Sequence, residues 1–297
     1  MADSGLILFN KPSSLTSFDA LRDIKKSLGT GKVGHTGTLD KFACGLLIVL
    51  AGKALRLSQW FTHLDKKYIG KIRFGEETDT LDPEGQIIAN APLPTRQQVE
   101  DALPQFTGEI MQAPPVYSAI HINGKRASSL ARSGQEIEMK KRPVTIYNLE
   151  LLSWEPPFAE IFVHCSSGTY IRSLARDLAI LAGSRAHLCE LKRLEVGGFK
   201  LEKTEKNEGL KLIPITREVI KSLGMAMIDV TSEDVEYIKN GKPLNKIFNN
   251  KTIIPPLPPR PGGNSSVNPF LALFYGEEIA AIIQKTPDSW KYSCVLT

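Results

Sequence analysis

Two hydrophobic patterns divide this chain. Unbroken apolar runs, Gly5-Leu6-Ile7-Leu8-Phe9-Asn10 and Gly45-Leu46-Leu47-Ile48-Val49-Leu50, predict short buried strands. Lys66 to Gly75 alternates instead. Tyr68, Gly70, Ile72 and Phe74 fall on one face, and Lys67, Ile69, Lys71 and Arg73 on the other, which predicts a strand with one polar, largely basic face. Val144 to Leu152, Phe158 to Cys165 and Ala186 to Phe199 read as further strands. Helical spacing appears at Phe18, Leu21, Ile24 and Leu28, opened by Thr16 with Asp19 at capping-box spacing and stopped by Gly29. A second, short helix spans Thr95 to Leu103, with Thr95 and Gln98 at the same spacing. A third, Tyr170 to Ala182, is expected to be capped by Thr169. It should bury Ile171, Leu174, Leu178 and Leu181 and expose Arg172 and Arg176.

Between these elements lie segments with turn chemistry. Gly34-His35-Thr36-Gly37-Thr38-Leu39-Asp40 is too Gly-rich to predict regular structure. Thr78 to Gly85 is an acidic, turn-rich loop whose spacing fits no calcium loop. Met111 to Ala119, with two prolines, reads as rigid and extended, and Ser166 to Thr169 as a turn. Lys203 to Lys211 reads as a polar surface connection. From about Met225 the composition shifts. A short helix around Val235 and Ile238 is followed by a Pro-, Gly-, Asn- and Ser-rich stretch, Lys251 to Asn268, expected to be a long mobile loop. Phe270 to Tyr275 and Ile279 to Ile283 then form a hairpin pattern. The expected division is 1–224 and 225–297, an α+β part followed by a small β-rich part.

Composition narrows the class. The 297 residues are 42% hydrophobic and 23% charged, so a sizeable core is available. The net charge of +5 is a mild basic excess, compatible with a nucleic-acid partner without demanding one. Cys44, Cys165, Cys189 and Cys294 are widely spaced with no CxxC pair, which reads as free thiols in a reducing compartment. No stretch reads as a secretory signal or a membrane span, so a cytoplasmic location is expected.

Two nucleotide motifs are present in letters only. Gly29-Thr30-Gly31-Lys32-Val33-Gly34 spells G-x-G-x-x-G, but it follows a helix where a dinucleotide site needs it to follow a strand. Gly29 to Thr36 has P-loop spacing with His35 at the lysine position, which removes the charge a phosphate needs. Asp40 is the one carboxylate of its loop and reads either as a solvated turn residue or as a chemical group. Lys125, Arg126, Arg132, Lys140, Lys141 and Arg142 read either as solvated surface or as an RNA-backbone track.

Five separated segments resemble one family: Gly34 to Asp40, Lys67-Tyr68, Asp79-Thr80-Leu81-Asp82, Met111 to Ala119, and Gly168-Thr169-Tyr170-Ile171-Arg172-Ser173-Leu174. Together with Asn10-Lys11-Pro12 and Thr16-Ser17 they are similar, in the family's order, to bacterial tRNA pseudouridine-55 synthases of the TruB type. The resemblance implies a mixed α/β catalytic domain around a largely antiparallel sheet, with a PUA-like RNA-binding domain after it. It implies conversion of a T-loop uridine of tRNA to pseudouridine, without metal or organic cofactor; a monomer is expected. It gives Asp40 the role of nucleophile or base, pairs Arg172 with it, and stacks Tyr68 on the target base. Tyr170 and Leu191 would line the uracil pocket, and His35 would sit against the RNA. Three positions depart from the pattern: Lys41 where the family usually has Pro, His121 where it has Lys, and Ser128 where an aromatic is common. The other reading kept beside this one is a non-catalytic tRNA-binding or folding protein on the same scaffold.

Overall fold

The computed structural model describes residues 4–122, 124–135, 137–201, 210–244, 253–254, 269–287 and 289–297. Most of the connection expected over Lys203 to Lys211 lies outside them, as does most of Lys251 to Asn268. Among the described residues no helix is long and apolar enough to cross a membrane.

In chain order the first half holds β1 (Gly5–Lys11), α1 (Ser17–Leu28), β2 (Val33–His35), β3 (Cys44–Ala51), α2 (Ser58–Thr62) and β4 (Lys66–Phe74). β5 (Glu76–Thr78), β6 (Ile87–Asn90), α3 (Arg96–Ala102), β7 (Gly108–Gln112), β8 (His121–Ile122), β9 (Lys125–Arg126) and α4 (Ala127–Arg132) follow. The second half holds β10 (Arg142–Glu155), β11 (Phe158–Cys165), α5 (Ile171–Leu181), β12 (Ala186–Val196), β13 (Phe199–Lys200) and α6 (Arg217–Ser222). It ends with β14 (Ala226–Asp229), α7 (Ser232–Lys239), β15 (Ile253–Ile254), β16 (Phe270–Tyr275), β17 (Glu278–Lys285) and β18 (Trp290–Val295).

The main sheet runs β1-β3-β12-β4-β11-β10-β7, with β2 on β3 and β13 on β12. Every pairing is antiparallel except β3 with β12, where Arg193 lies opposite Gly45. Gly45 has φ +100, and a Cβ there would stand 2.3 Å from the Arg193 carbonyl oxygen, so only glycine permits this crossing. The continuous apolar run of β3 has a direct cause. Leu47, Val49 and Ala51 enter a core shared with α1 and α5, while Leu46, Ile48 and Leu50 enter a second core on the other face. That second core also takes Met227, Ala272, Phe274 and Ile282 from the small C-terminal sheet, ordered β15-β14-β16-β17-β18, and Met225 and Leu296 from just outside its strands. The expected hairpin is β16–β17.

Helix ends follow their capping residues. Thr16 accepts from the Asp19 N–H, Gly29 closes α1 at φ 64, and Thr95 and Gln98 form a reciprocal box on α3. Several expectations are corrected. Gly34 and His35 belong to strand β2, because β3 supplies a pairing edge that local composition cannot reveal. Phe18 is 72% exposed; two three-residue steps carry it about 120° around the helix from Ile24. Thr169 is not the cap of α5. Its hydroxyl donates to the Ser166 carbonyl, and Tyr170 takes the N-cap position. The buried face of α5 centres on Ile171, Ala175, Leu178 and Ala179, so Leu181 is 45% exposed and Arg172, expected outside, is only 5% exposed. The small alanines set that face, and ion pairing makes the arginine's burial tolerable.

Candidate active site

A cleft of about 540 Å³ opens where the Asp40 loop, β4, the start of α5 and β12 meet. Asp40, Tyr68, Tyr170, Arg172 and Leu191 all line it. His35 does not; it stands on β2, one residue behind the cleft residue Thr36, with burial and the Arg193 charge lowering its pKa.

The Asp40 loop is held at many points. Ser17 Oγ donates to the Leu39 carbonyl at 3.0 Å and accepts the Leu39 N–H at 2.9 Å. The Ala43 N–H closes back on the Asp40 carbonyl at 3.1 Å, and the Ser14 N–H reaches the Lys41 carbonyl at 2.8 Å. From below, buried Arg193 donates to the carbonyls of Leu46 at 2.7 Å and Gly37 at 3.0 Å. A loop with two glycines thus becomes a fixed mount for one carboxylate.

Arg172 gathers that carboxylate with a second. Its Nη1 donates to Asp82 Oδ2 at 3.0 Å and to the Thr80 carbonyl at 2.8 Å. Its Nη2 donates to Asp40 Oδ1 at 3.3 Å and to the Tyr117 carbonyl at 3.1 Å. Nε lies 3.0 Å from Asp40 Oδ2 but without hydrogen-bond alignment, so that contact is electrostatic. Leu81 adopts φ 60 between Thr80 and Asp82, and this left-handed turn brings both their oxygens to one guanidinium nitrogen. The acidic loop read as turn-rich is therefore a ligand for Arg172, with Asp82 only 6% exposed.

The electrostatics oppose one another at Asp40. Burial raises its pKa, Arg172 pulls it down, and the Asp82 and Glu84 charges push it up; the net direction is upward. The side chain retains 37% exposure, so water moderates these effects. Burial likewise raises the Tyr68 hydroxyl, against the neighbouring Arg193 charge. Lys66, in the cleft wall, is lowered to about 8, chiefly by burial, then by Arg193.

Tyr170 is mounted from both sides. Gln112 Oε1 accepts its N–H at 2.8 Å and Gln112 Nε2 donates to its carbonyl at 3.1 Å. The Arg142 guanidinium lies 5.0 Å from its ring centre. Of the basic residues singled out in sequence, Arg126, Arg132 and Arg142 line the cleft. Lys41, the departure beside Asp40, pairs with Glu84 at 3.3 Å.

This constellation can be compared with known proteins. Residues 25–171 match the TruB family pseudouridylate synthase (N terminal domain). The tRNA pseudouridine synthase B of Borreliella burgdorferi (strain ZS7) is 45% identical over 243 residues, covering 80% of this chain and 86% of that one. The chain belongs to the TruB family. The tRNA pseudouridine synthase B of Aromatoleum aromaticum is 44% identical over 216 residues, 72% of this chain and 70% of that protein. Among solved structures, a chain of a Cbf5-Nop10-Gar1 complex superposes with a TM-score of 0.70 at 22% identity, covering 99% of this chain and 85% of that one. That likeness speaks for the fold. Within this TruB-family cleft, three residues were given no role from sequence: Asp82, Arg193 and Gln112. The Asp79 to Asp82 segment was itself a signal for the first. The Met111 to Ala119 segment was likewise a signal for Gln112, whereas Arg193 holds backbone across a long sequence separation and carries no local pattern.

Proposed function

We propose that this protein isomerises a uridine of tRNA to pseudouridine, and that the target is the T-loop uridine at position 55. The observation that carries the reading is the Asp40–Arg172–Asp82 network in a cleft lined by Tyr68, in a chain 45% identical to a tRNA pseudouridine synthase B.

The reaction breaks the N1–C1′ bond and forms C5–C1′. All substrate atoms are retained, and one proton moves from C5 to N1. A single carboxylate suffices to open the glycosidic bond, as nucleophile or as base on the nucleoside. Both roles require ionised Asp40. Arg172 favours that form and fixes its orientation, and Asp82 balances the arginine's second edge. A T-loop uridine is stacked, so it must be extruded into the cleft, at a cost of a few kcal/mol. Tyr68 offers its ring to the base and its hydroxyl for proton transfer. Tyr170 and Leu191 bound the same pocket, and His35, one residue behind the cleft, would sit against the RNA. Arg126, Arg132 and Arg142, which line the cleft, would take phosphates around the T-arm. Among the described residues, none from about 225 onward lines the cleft, and this part would serve RNA binding. The protein would work as a monomer on tRNA in the cytoplasm.

The test is a single-turnover assay on an unmodified tRNA transcript, with pseudouridine mapped by base-specific chemistry. Pseudouridine at position 55 is the expected product. Tight tRNA binding with no pseudouridine at any position would favour a tRNA-folding protein instead.

A further inference from the structure

Helices α1, α3, α6 and α7 open on threonines whose side chains accept an N–H of the first turn: Thr16, Thr95, Thr216 and Thr231. Helix α5 does not. Its N-cap is Tyr170, which makes no side-chain cap hydrogen bond, although Thr169 stands one position earlier. The Thr169 hydroxyl donates instead to the Ser166 carbonyl at 3.0 Å. Tyrosine is not among the residues that cap helices well, so this start is fixed from outside the helix.

Gln112, the last residue of β7, does the fixing. It is 1% exposed, and both halves of its amide go to one residue. Oε1 accepts the Tyr170 N–H at 2.8 Å, and Nε2 donates to the Tyr170 carbonyl at 3.1 Å. That carbonyl also accepts the Leu174 N–H at 3.0 Å, the first bond of α5. The amide thus pairs with Tyr170 as a neighbouring strand would, and Tyr170 is extended, with φ −103 and ψ 112. Were α5 to start on Thr169, Tyr170 would become its first helical residue, with ψ about −42, and the ring would leave its present direction. Gln112 and the threonine therefore favour different starts for the same helix.

Arg142 lies opposite Gln112 in the β7–β10 register. Its guanidinium lies 5.0 Å from the Tyr170 ring centre, and its Nη2 donates to the Gly168 carbonyl at 2.6 Å. The edge of the main sheet holds Tyr170 twice, by its backbone and by its ring. Arg172, two residues on, has its own anchors in Asp40, Asp82 and the carbonyls of Thr80 and Tyr117. Tyr170 is thus the cleft residue that depends on Gln112.

We infer that Gln112 is a positioning residue: it holds Tyr170 extended and so sets the ring that bounds the base pocket. This rests on the proposed isomerase reading. Small displacements of groups that orient a reacting centre are enough to cost rate.

The test compares Gln112→Met, which keeps the length and loses both polar groups, with Gln112→Asn, which keeps the amide and loses the reach. Each is made alone and together with Tyr170→Ala. Single-turnover rate at saturating enzyme and Kd are measured on an unmodified tRNA transcript. Either single variant should lose about tenfold or more in rate, with Kd within about threefold. In the Tyr170→Ala background neither should cost more than about twofold further, because the ring they position is gone. Additive losses would overturn the inference, and so would a wild-type rate in either single variant. If Gln112→Met does not fold, Gln112→Asn carries the same test. A second readout needs no turnover. In protein labelled with fluorotyrosine, and with the Tyr170 signal assigned from Tyr170→Phe, that fluorine resonance should shift in Gln112→Asn while the Tyr68 resonance stays. An unmoved Tyr170 resonance would overturn the inference even where the rate fell. A wild type that makes no pseudouridine would instead overturn the isomerase reading, and the fluorine spectrum would still report whether Gln112 sets the ring.

Discussion

Arg172 and Arg193 are both buried and both line the same cleft, but they are satisfied in different ways. Arg172, from α5, holds two carboxylates and two carbonyls. Arg193, from β12, holds carbonyls of Gly37, Thr38 and Leu46, and among the described residues makes no ion pair. Lys66 and Lys11 resemble Arg193: both are buried and both donate to carbonyls. One side of the cleft is therefore charge-matched and the other retains positive charge. Arg172 controls the charge and direction of Asp40, while Arg193 controls the shape of the loop that carries it. A positive floor also suits a polyanionic substrate.

The largest effect should come from the group that both arginines serve. Asp40→Asn keeps the shape of the side chain and its acceptor oxygen but is a far poorer nucleophile and base. Single-turnover rate should fall by about three orders of magnitude or more, with tRNA affinity within a few-fold of wild type. Turnover within tenfold of wild type would remove Asp40 from the chemistry. Lost binding along with lost turnover would make it structural.

Next come the arginines, where the comparison predicts a split. Arg172→Lys keeps the charge but cannot reach both Asp40 and Asp82 with a planar fork, so the rate should fall by about a hundredfold. Arg193→Lys loses most of three carbonyl contacts. It should cost about 1–3 kcal/mol of stability and only about tenfold in rate. Urea denaturation beside single-turnover kinetics on both variants reads this out. If Arg193→Lys lost more rate and less stability than Arg172→Lys, the division into charge and shape would fail.

The two sides also differ in how far the sequence revealed them. Unbroken and alternating patterns were enough for β1, β3, β4 and the helices with Thr caps, because burial on two faces or one leaves a direct trace. Arg172 was legible by motif but misplaced on the outside of α5. A charged residue in a helical repeat reads as solvent-facing, and its partner Asp82 lies 90 positions away. Arg193 was hidden within an apolar and basic strand. Its partners are backbone carbonyls, which every residue has, so no residue type announces them. The core joining β3 to the C-terminal sheet was hidden for a related reason. Apolar contact has no partner code, so no residue type shows which segments share a core.

The smallest effect concerns the pair at the edge of the charge-matched side. Lys41 and Glu84 are 3.3 Å apart and about half exposed, so the ion pair itself contributes only about 0–1 kcal/mol. Its influence on the reaction is through Asp40. Burial, Asp82 and Glu84 raise the Asp40 pKa, while Arg172 and Lys11 lower it, and the net direction is upward from 3.8. In the proposed reaction the active form is the ionised carboxylate, so rate should be lost as pH falls through this raised value. The acid limb of the single-turnover pH profile should therefore lie above the ordinary aspartate range. Glu84→Gln removes a like charge, makes ionisation easier, and should move that limb to lower pH. On the plateau above that limb, where Asp40 is ionised, the rate should stay within about twofold. Lys41→Gln leaves Glu84 unpaired and should move the limb the other way. Shifts of the same sign in both variants would mean that the pair acts through RNA contact and not through the Asp40 charge.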